Sequence, residues 1–150
     1  MFLAMIVHLL AAVIWVGGMF FAYVALRPSA GQVLEPPLRL ALWQKVFSHF
    51  FPWVWVCAAA LLISGFWVIF GVLGSMAAAG MHVHLMMTLG IIMMAIFAHL
   101  YFGPFRRFKQ ALIQKDWKEG GARLNQIRVL IAINLALGLS VVCIAAGGHY

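Results

Sequence analysis

Residues 81–103 read MHVHLMMTLGIIMMAIFAHLYFG, and this stretch decides the fold. A helix of this length, at about 1.5 Å per residue, is long enough to cross a bilayer, and none of its residues is formally charged. It nevertheless holds three histidines, His82, His84 and His99. An imidazole in hydrocarbon costs free energy unless it finds a partner, so histidines inside a membrane span are first examined for function.

Two of these histidines lie on one face of the helix. At about 100° per residue, the face is formed by His84, Thr88, Ile91, Ala95, His99 and Phe102. We predict that this stripe faces the rest of the molecule, with His84 towards one end of the span and His99 towards the other.

The composition of the whole chain is that of a membrane protein. Its 150 residues are 66% hydrophobic, and the mean hydropathy is +1.05. The length predicts one domain, residues 1–150. The net charge is +7, but all ten Lys and Arg residues lie in two segments between apolar blocks, Arg27–Lys45 and Arg106–Arg128. This is the positive-inside pattern of membrane proteins and not a nucleic-acid-binding surface.

The apolar runs predict four spans. They cover about Met1–Leu26, Phe51–Gly74, Met81–Gly103 and Val129–Gly148. A short amphipathic piece, Leu38–Phe47, predicts an interfacial helix that lies on the membrane. A turn is predicted at Gly120–Gly121, followed by a new helix. The expected fold is all-α: an integral membrane four-helix bundle with a short interfacial helix between spans one and two.

The charge distribution also predicts how the bundle sits in its bilayer. If both basic segments are cytoplasmic, both termini and the Ser75–Gly80 link lie on the outer side. We therefore expect a multi-pass protein of a bacterial-type inner membrane.

In this topology spans one and three run parallel, so the depths of their histidines can be compared. His8 lies several residues from the outer end of span one, and His84 lies at a similar depth in span three, within roughly one helical turn. His49 and His99 form a second pair at equal depth near the inner ends. The sequence therefore predicts two levels at which imidazoles face each other.

A membrane histidine can also serve only to link helices, through a hydrogen bond worth about 0.6 kcal/mol on average. This alternative stays open for His49, which stands beside a basic loop. It is favoured for His82 and His149, which lie near the outer surface and would meet there. His8 and His84 both lie well inside their spans and at the same depth, so a ligand role is favoured for them.

Two ligand chemistries fit a level pair of imidazoles in an apolar bundle. Haem b takes axial histidines from facing helices and buries its macrocycle among apolar side chains. Copper is bound by imidazole and thioether groups. Of the nine methionines, Met86, Met87, Met93 and Met94 crowd the third span. They spread around the helix, so apolar filling is the better interpretation for most of them.

A family resemblance points to the same two chemistries. Residues 5–28, MIVHLLAAVIWVGGMFFAYVALRP, resemble the opening helix of the CopD copper-resistance family, with its histidine followed by a W-x-G-G step. The same helix is similar to that of the HemJ-type protoporphyrinogen oxidases, which are small haem-binding membrane proteins. In those proteins a later helix reads approximately h-v-K-L with a y-H pair downstream. Residues 81–103 are similar to it, with His84 in place of the lysine and His99 at the downstream histidine.

The resemblance implies haem binding, while the change at position 84 argues against protoporphyrinogen oxidation. Histidine there removes a fixed cation and supplies an iron ligand. We predict a CopD/HemJ-like protein that binds haem b between spans one and three and serves electron transfer or a haem-dependent redox step. His8 and His84 are the expected axial ligands, and His99 is the next candidate, with His49 at a second, inner site. Arg128, together with Arg106 and Arg107, is expected to pair with the propionates of an inner haem, and whether there is one haem site or two stays open.

Other functions stay open beside this prediction. The first is a copper-handling transport protein in which the same histidines bind the metal. The second is a structural or assembly subunit whose histidines only link helices. The expected partners are the lipid bilayer and a redox partner or quinone, with no nucleic acid. The sequence decides neither the oligomeric state nor whether the protein is an enzyme.

Overall fold

The computed structural model describes residues 2–148, which are helical apart from short links. The helices are α1 (Phe2–Phe20), α2 (Arg27–Val33), α3 (Pro36–Gly71), α4 (Met81–Phe102), α5 (Pro104–Ile113) and α6 (Trp117–Gly147). A π-helical turn, Phe21–Leu26, joins α1 to α2, and a 3₁₀ turn, Met76–Ala78, lies in the link before α4. Within the described residues there is no strand.

Four helical stretches are long and apolar enough to cross a membrane. They are Phe2–Val33, Pro36–Gly71, Met81–Ile113 and Trp117–Gly147. The predicted all-α, four-span fold is confirmed. We call the end of the bundle that carries α2, α5 and the start of α6 the basic end, because every Lys and Arg lies there. The end that carries residues 72–80 is the link end.

The spans associate as two pairs. α1 packs mainly against α3, and α4 packs mainly against α6, while α6 also contacts α1 and α3. Of the four long helices, α1 and α4 contact each other least. They do meet at Trp15 and Phe97, whose ring centroids lie 6.3 Å apart. The helices that carry His8 and His84 are therefore not close-packed along their length.

The tightly packed core lies towards the basic end. It includes Trp15, Met19, Trp43, Phe47, Phe51, Val54, Phe97, Leu100, Phe105, Phe108, Leu124 and Ile127. On α1 the first buried side chain is Ala11, and the residues before it are open, with Phe2 81% exposed and Leu9 57% exposed. The bundle is thus closely packed at the basic end and loosely packed at the link end.

Close contacts join the spans at mid-depth. The side-chain amide of Asn134 on α6 donates to the backbone oxygen of Met93 on α4, with an N–O distance of 3.1 Å. A Cβ added at Gly18 would overlap the ring of Phe50 on α3, whereas one added at Gly17 would meet no atom within 4 Å. Of these two neighbouring glycines of α1, Gly18 is therefore the one at which α3 approaches closely.

The predicted interfacial helix at Leu38–Phe47 is not a separate element. Its residues are helical, but they form the first turns of α3, which runs without a break through Pro52. Trp43 is only 2% exposed, and the ring of Phe47 contacts Phe105 of α5 with a centroid distance of 6.0 Å. Packing against α5 makes this segment part of the bundle.

The first span continues beyond Arg27 and Pro28 as α2. Proline lacks an N–H group and its ring crowds the preceding helical turn. Just before the proline the backbone forms a wider π-helical turn, in which the N–H of Arg27 bonds to the oxygen of Ala22, five residues earlier and not four. Ser29 Oγ donates to the oxygen of Ala25 at 2.8 Å. The helix therefore bypasses the proline and reaches Val33.

The turn predicted at Gly120–Gly121 is wrong, because both glycines lie inside α6. The helix begins just after Asp116, whose Oδ1 accepts a hydrogen bond from the backbone N of Glu119 at 3.0 Å. Gly120 is buried, and a Cβ there would lie 3.1 Å from Leu112 Cδ1 of α5. A glycine is present because α5 and α6 approach closely, and it marks no turn.

Candidate functional site

His8 is held by a hydrogen bond to the second span. The distance from His8 Nδ1 to Ser64 Oγ is 2.9 Å. The imidazole is half-buried, Ser64 is 4% exposed, and the ring edge of His8 lies beside Gly65, where a Cβ would be 3.6 Å from His8 Cε1. The side chain of His8 therefore lies against α3, and its hydrogen bond is made to α3 and not to α4.

The hydroxyl of Ser64 favours one tautomer of His8. Ser64 Oγ lies 2.5 Å from the backbone oxygen of Ala60 and 3.3 Å from that of Leu61, so its single hydrogen is directed at these carbonyls. Ser64 Oγ is then the acceptor for His8, an arrangement that favours the neutral tautomer with its proton on Nδ1. Nε2 is left with its lone pair, and no hydrogen bond to it is made within residues 2–148. Histidines that bind metals usually have their other ring nitrogen fixed in this way.

His84 is half-buried on the first turns of α4. Its backbone oxygen accepts a hydrogen bond from Thr88 Oγ1 at 2.9 Å. It lies at the loosely packed link end, as His8 does. The structure thus puts both predicted axial ligands at the same end of the bundle, on the two spans that contact each other least.

The predicted stripe of α4 does not face the rest of the molecule as expected. Thr88, Ala95 and His99 are exposed, and Ile91 and Phe102 are 48% and 64% exposed. The face of α4 that packs inward carries Met93, Phe97 and Leu100. Only the His84 end of the stripe is partly covered.

The two histidines at the basic end are both exposed, and neither points into the core. His49 Nδ1 donates to the backbone oxygen of Lys45, four residues earlier, at 2.7 Å. This local bond matches the alternative in which His49 has no ligand role. His99 lies in the last turn of α4. Neither His49 nor His99 lines the core cavity or the cavity at the basic end, so a ligand site formed by this inner pair stays a prediction.

His82 packs at the link end against the backbone of two glycines. A Cβ at Gly148 would lie 2.7 Å from His82 Cγ, and one at Gly80 would lie 2.8 Å from His82 Cε1. The ring therefore fits between the start of α4 and the end of α6. The predicted approach of His82 to His149 falls outside the described residues.

The structure contains no preformed metal cluster of the usual kind in the described range. No group of three or more His, Cys, Asp or Glu side chains in residues 2–148 is arranged to hold a metal ion. One cavity lies in the core and another at the basic end, and no histidine lines either one. A metal bound by His8 would therefore need ligands of another type, such as thioethers.

The family assignment rests on more than half of the chain. A family model described as CopD, copper resistance protein D, matches residues 44–147. The chain belongs to the CopD family. No curated protein and no solved structure is significantly similar to it.

In this CopD-family membrane protein the matched segment contains Ser64, His84 and Arg128, while His8 precedes it. Sequence reasoning gave Ser64 no role. It is the lone hydroxyl in the apolar part of the second span, and its depth below the link end is close to that of His8. Comparing depths between spans one and two would have revealed the pair.

Arg128 of the CopD-family chain lies at the basic end and has an unusual environment. Its Nε is buried and makes no hydrogen bond within the described residues. Its guanidinium carbon lies 5.7 Å from the ring centroid of Trp43. Arg128 lies at the same end of the bundle as His49 and His99, so its predicted role at an inner haem stays a prediction.

Proposed function

We propose that this protein handles copper and that its ion site lies at the link end, with Nε2 of His8 as the principal ligand. The observation that carries the proposal is the hydrogen bond from His8 Nδ1 to Ser64 Oγ, which leaves Nε2 free to coordinate. Membership of the copper-resistance family supports copper as the cargo.

The donor groups that the link end offers suit copper in its singly charged state. Cu(I) is bound well by imidazole and thioether groups. The link end offers His84, Met86 and Met87, all half-buried on α4, and Met5 lies one turn from His8. The three acidic residues all lie at the basic end: Glu35, Asp116 and Glu119. With no carboxylate nearby, a monovalent ion is less costly to hold in an apolar bundle than a divalent one.

The loose packing of the link end supports a cargo role for the ion. An ion that is to be passed on must enter and leave, and the α1 side chains before Ala11 are not sealed into the core. A closely packed site would hold its ion too well to release it.

The experiment measures copper content in protein purified under reducing conditions from copper-supplemented cells. We expect about one copper per chain in the wild type and a loss of most of it in His8→Ala. His49→Ala is the matched control, because that imidazole is exposed and bonded to its own helix. Copper content that is the same in His8→Ala and His49→Ala would overturn the proposal.

Haem b is the second candidate, and one observation favours it. His8 and His84 are half-buried at the loosely packed end, on the two spans that contact each other least, which is where a flat group would have room. An electron-transfer role with a redox partner or quinone belongs to this candidate. The purified wild type would then show a Soret band and contain no copper, and the band would be lost in both His8→Ala and His84→Ala. That result would show that the ligand is haem and not copper.

A further inference from the structure

The short helix α5 stands beside the first turns of α3 and points away from the membrane. At its start the ring of Phe105 lies 4.9 Å from that of Phe51, measured between centroids. Near its end Leu112 reaches Gly120 of α6, where an added Cβ would lie 3.1 Å from Leu112 Cδ1 and 3.3 Å from Leu40 Cδ1. Phe51 and Leu40 are about three helical turns apart on α3. The helix α5 therefore runs along α3 and does not lie flat on the bilayer.

One side of α5 is covered by the bundle and the other side is open. The covered side is apolar and includes Phe105, Phe108 and Ala111, which are all buried. The open side continues into the turn that leads to α6. We call this the outer α5 surface, and its exposed members are Arg106, Arg107, Ile113, Lys115, Trp117 and Lys118.

The outer α5 surface is positively charged and has no counter-ion in the chain. It carries four cations, whereas its turn holds one carboxylate, that of Asp116. This carboxylate accepts a hydrogen bond from the backbone N of Glu119. Among residues 2–148 the one ion pair joins Arg123 to Glu119, so no cation of this surface is paired. The surface therefore attracts anionic groups from outside the chain.

The far end of the outer α5 surface lies beyond the lipid headgroups. The apolar run of α6 begins at Val129, nine positions after Gly120, which is about 13 Å along the helix. The headgroup layer on each side of the hydrocarbon is only about 5–8 Å thick. Arg106 and Arg107 at the start of α5 are close enough to meet headgroups. The end of α5, which contacts Gly120, and the turn after it lie in water.

Two large apolar side chains are exposed at this aqueous end. Ile113 is 78% exposed and Trp117 is 40% exposed. The preference of Lys and Arg for one side of a membrane explains the cations, but it does not explain an isoleucine and a tryptophan that face water. Trp and Arg are enriched at protein–protein interfaces, and exposed apolar groups rimmed by charge are typical of docking surfaces.

We propose that the outer α5 surface docks the acidic face of a soluble protein. Carboxylates of the partner pair with Arg107, Lys115 and Lys118, and an apolar side chain of the partner packs against Ile113 and Trp117. An anionic lipid has the matching charge, but its headgroup does not reach the turn after α5. This surface and the copper site lie at opposite ends of the bundle, so the proposal does not depend on copper binding.

Peptide binding to the full chain in phosphatidylcholine nanodiscs tests the proposal. The labelled probe alternates glutamate with leucine, and a second peptide has glutamine in place of glutamate. We expect the glutamate peptide to bind at least about tenfold more tightly, with an affinity that falls as salt is raised. Lys118→Glu should weaken its binding about fivefold or more, and a glutamate in the first turn of α6 is compatible with the helix. Lys45→Glu, the same change at an exposed site of α3, should leave binding unchanged.

A second pair of variants tests the apolar part of the surface. Ile113→Gln should weaken binding of the glutamate peptide severalfold, whereas Val33→Gln, at a similarly exposed site at the end of α2, should not. Equal binding of the two peptides, or equal effects within either pair of variants, would overturn the proposal. Peptide binding that persists in nanodiscs containing phosphatidylglycerol supports a protein partner. Loss of binding there would assign the surface to the membrane and overturn the proposal, as would an oligonucleotide that binds more tightly than the glutamate peptide.

Discussion

Asn134 of α6 reaches across to α4 and donates its side-chain amide to the backbone oxygen of Met93, at 3.1 Å. The acceptor is a main-chain atom, so the bond between the two spans does not depend on the side chain at position 93. The other polar atom of Asn134, Oδ1, is buried and has no partner within residues 2–148. Asn134 therefore combines one interhelical bond with one unsatisfied acceptor.

Replacing Asn134 by leucine should change the free energy of unfolding by less than about 1 kcal/mol. The lost bond is worth about 0.6 kcal/mol, and the unsatisfied oxygen disappears with it. Asn134→Asp should destabilise by about 2 kcal/mol or more, because it removes the donor and buries a carboxyl group. Denaturant titration in detergent measures both changes. A loss well above 1 kcal/mol in the leucine variant would mean that Oδ1 has a partner, such as a bound water.

Ser64→Ala should lower copper affinity by about 10- to 100-fold, because Nδ1 of His8 loses its acceptor and the ring is no longer held in one tautomer. Ser140→Ala is the matched control. Ser140 also donates to the carbonyl four residues before it, at 2.9 Å, but it is exposed and contacts no histidine. Competition with a Cu(I) chelator gives both affinities. Equal affinities in the two variants would show that Ser64 does not position His8.

Gly18→Leu should destabilise the protein by about 1–3 kcal/mol, since a side chain there must displace the ring of Phe50. Gly17→Leu should have almost no effect, because that position is exposed and meets no neighbouring atoms. The midpoints of thermal unfolding in detergent compare the two. Similar shifts in both would show that α1 and α3 do not approach at Gly18.

The sidedness predicted from the basic residues is tested by labelling with a membrane-impermeant thiol reagent. Ser75→Cys in the link should react in intact cells, and Gln114→Cys at the basic end should react only after permeabilisation. The native thiols, Cys57 and Cys143, are both free and are replaced first. The reverse pattern would put the basic end outside.

The four spans follow from the sequence because hydropathy is a local property. The direction in which each helix faces does not, because lipid is as apolar as a protein core. The buried positions of α4 are Met93, Phe97 and Leu100, whereas Thr88 and His99 lie on the opposite, exposed face. The prediction takes the polar residues of this span to mark its inner face, and in the structure they mark its outer face.

The candidate site was predicted only in part for a related reason. A depth comparison finds His8 and His84, because depth is a count along one helix. The partner of His8 depends on which spans pack together, and α1 packs mainly against α3. Ser64 therefore had to come from the structure. The contact between Trp43 and Arg128 could not be predicted for the same reason. The two residues are 85 positions apart in the sequence, and they meet because α3 continues to the basic end as one unbroken helix.

The π-helical turn at Phe21–Leu26 has a consequence for both ends of the first span. Such a turn takes up about one residue more than an α-helical turn, so the residues beyond it lie about 100° away from where an unbroken α-helix would place them. His8 lies before the turn and Arg27 after it. The angle about the helix axis between these two side chains therefore differs by about 100° from the angle that counting residues along a regular helix gives, and any comparison of faces between the two ends of the first span has to include this offset.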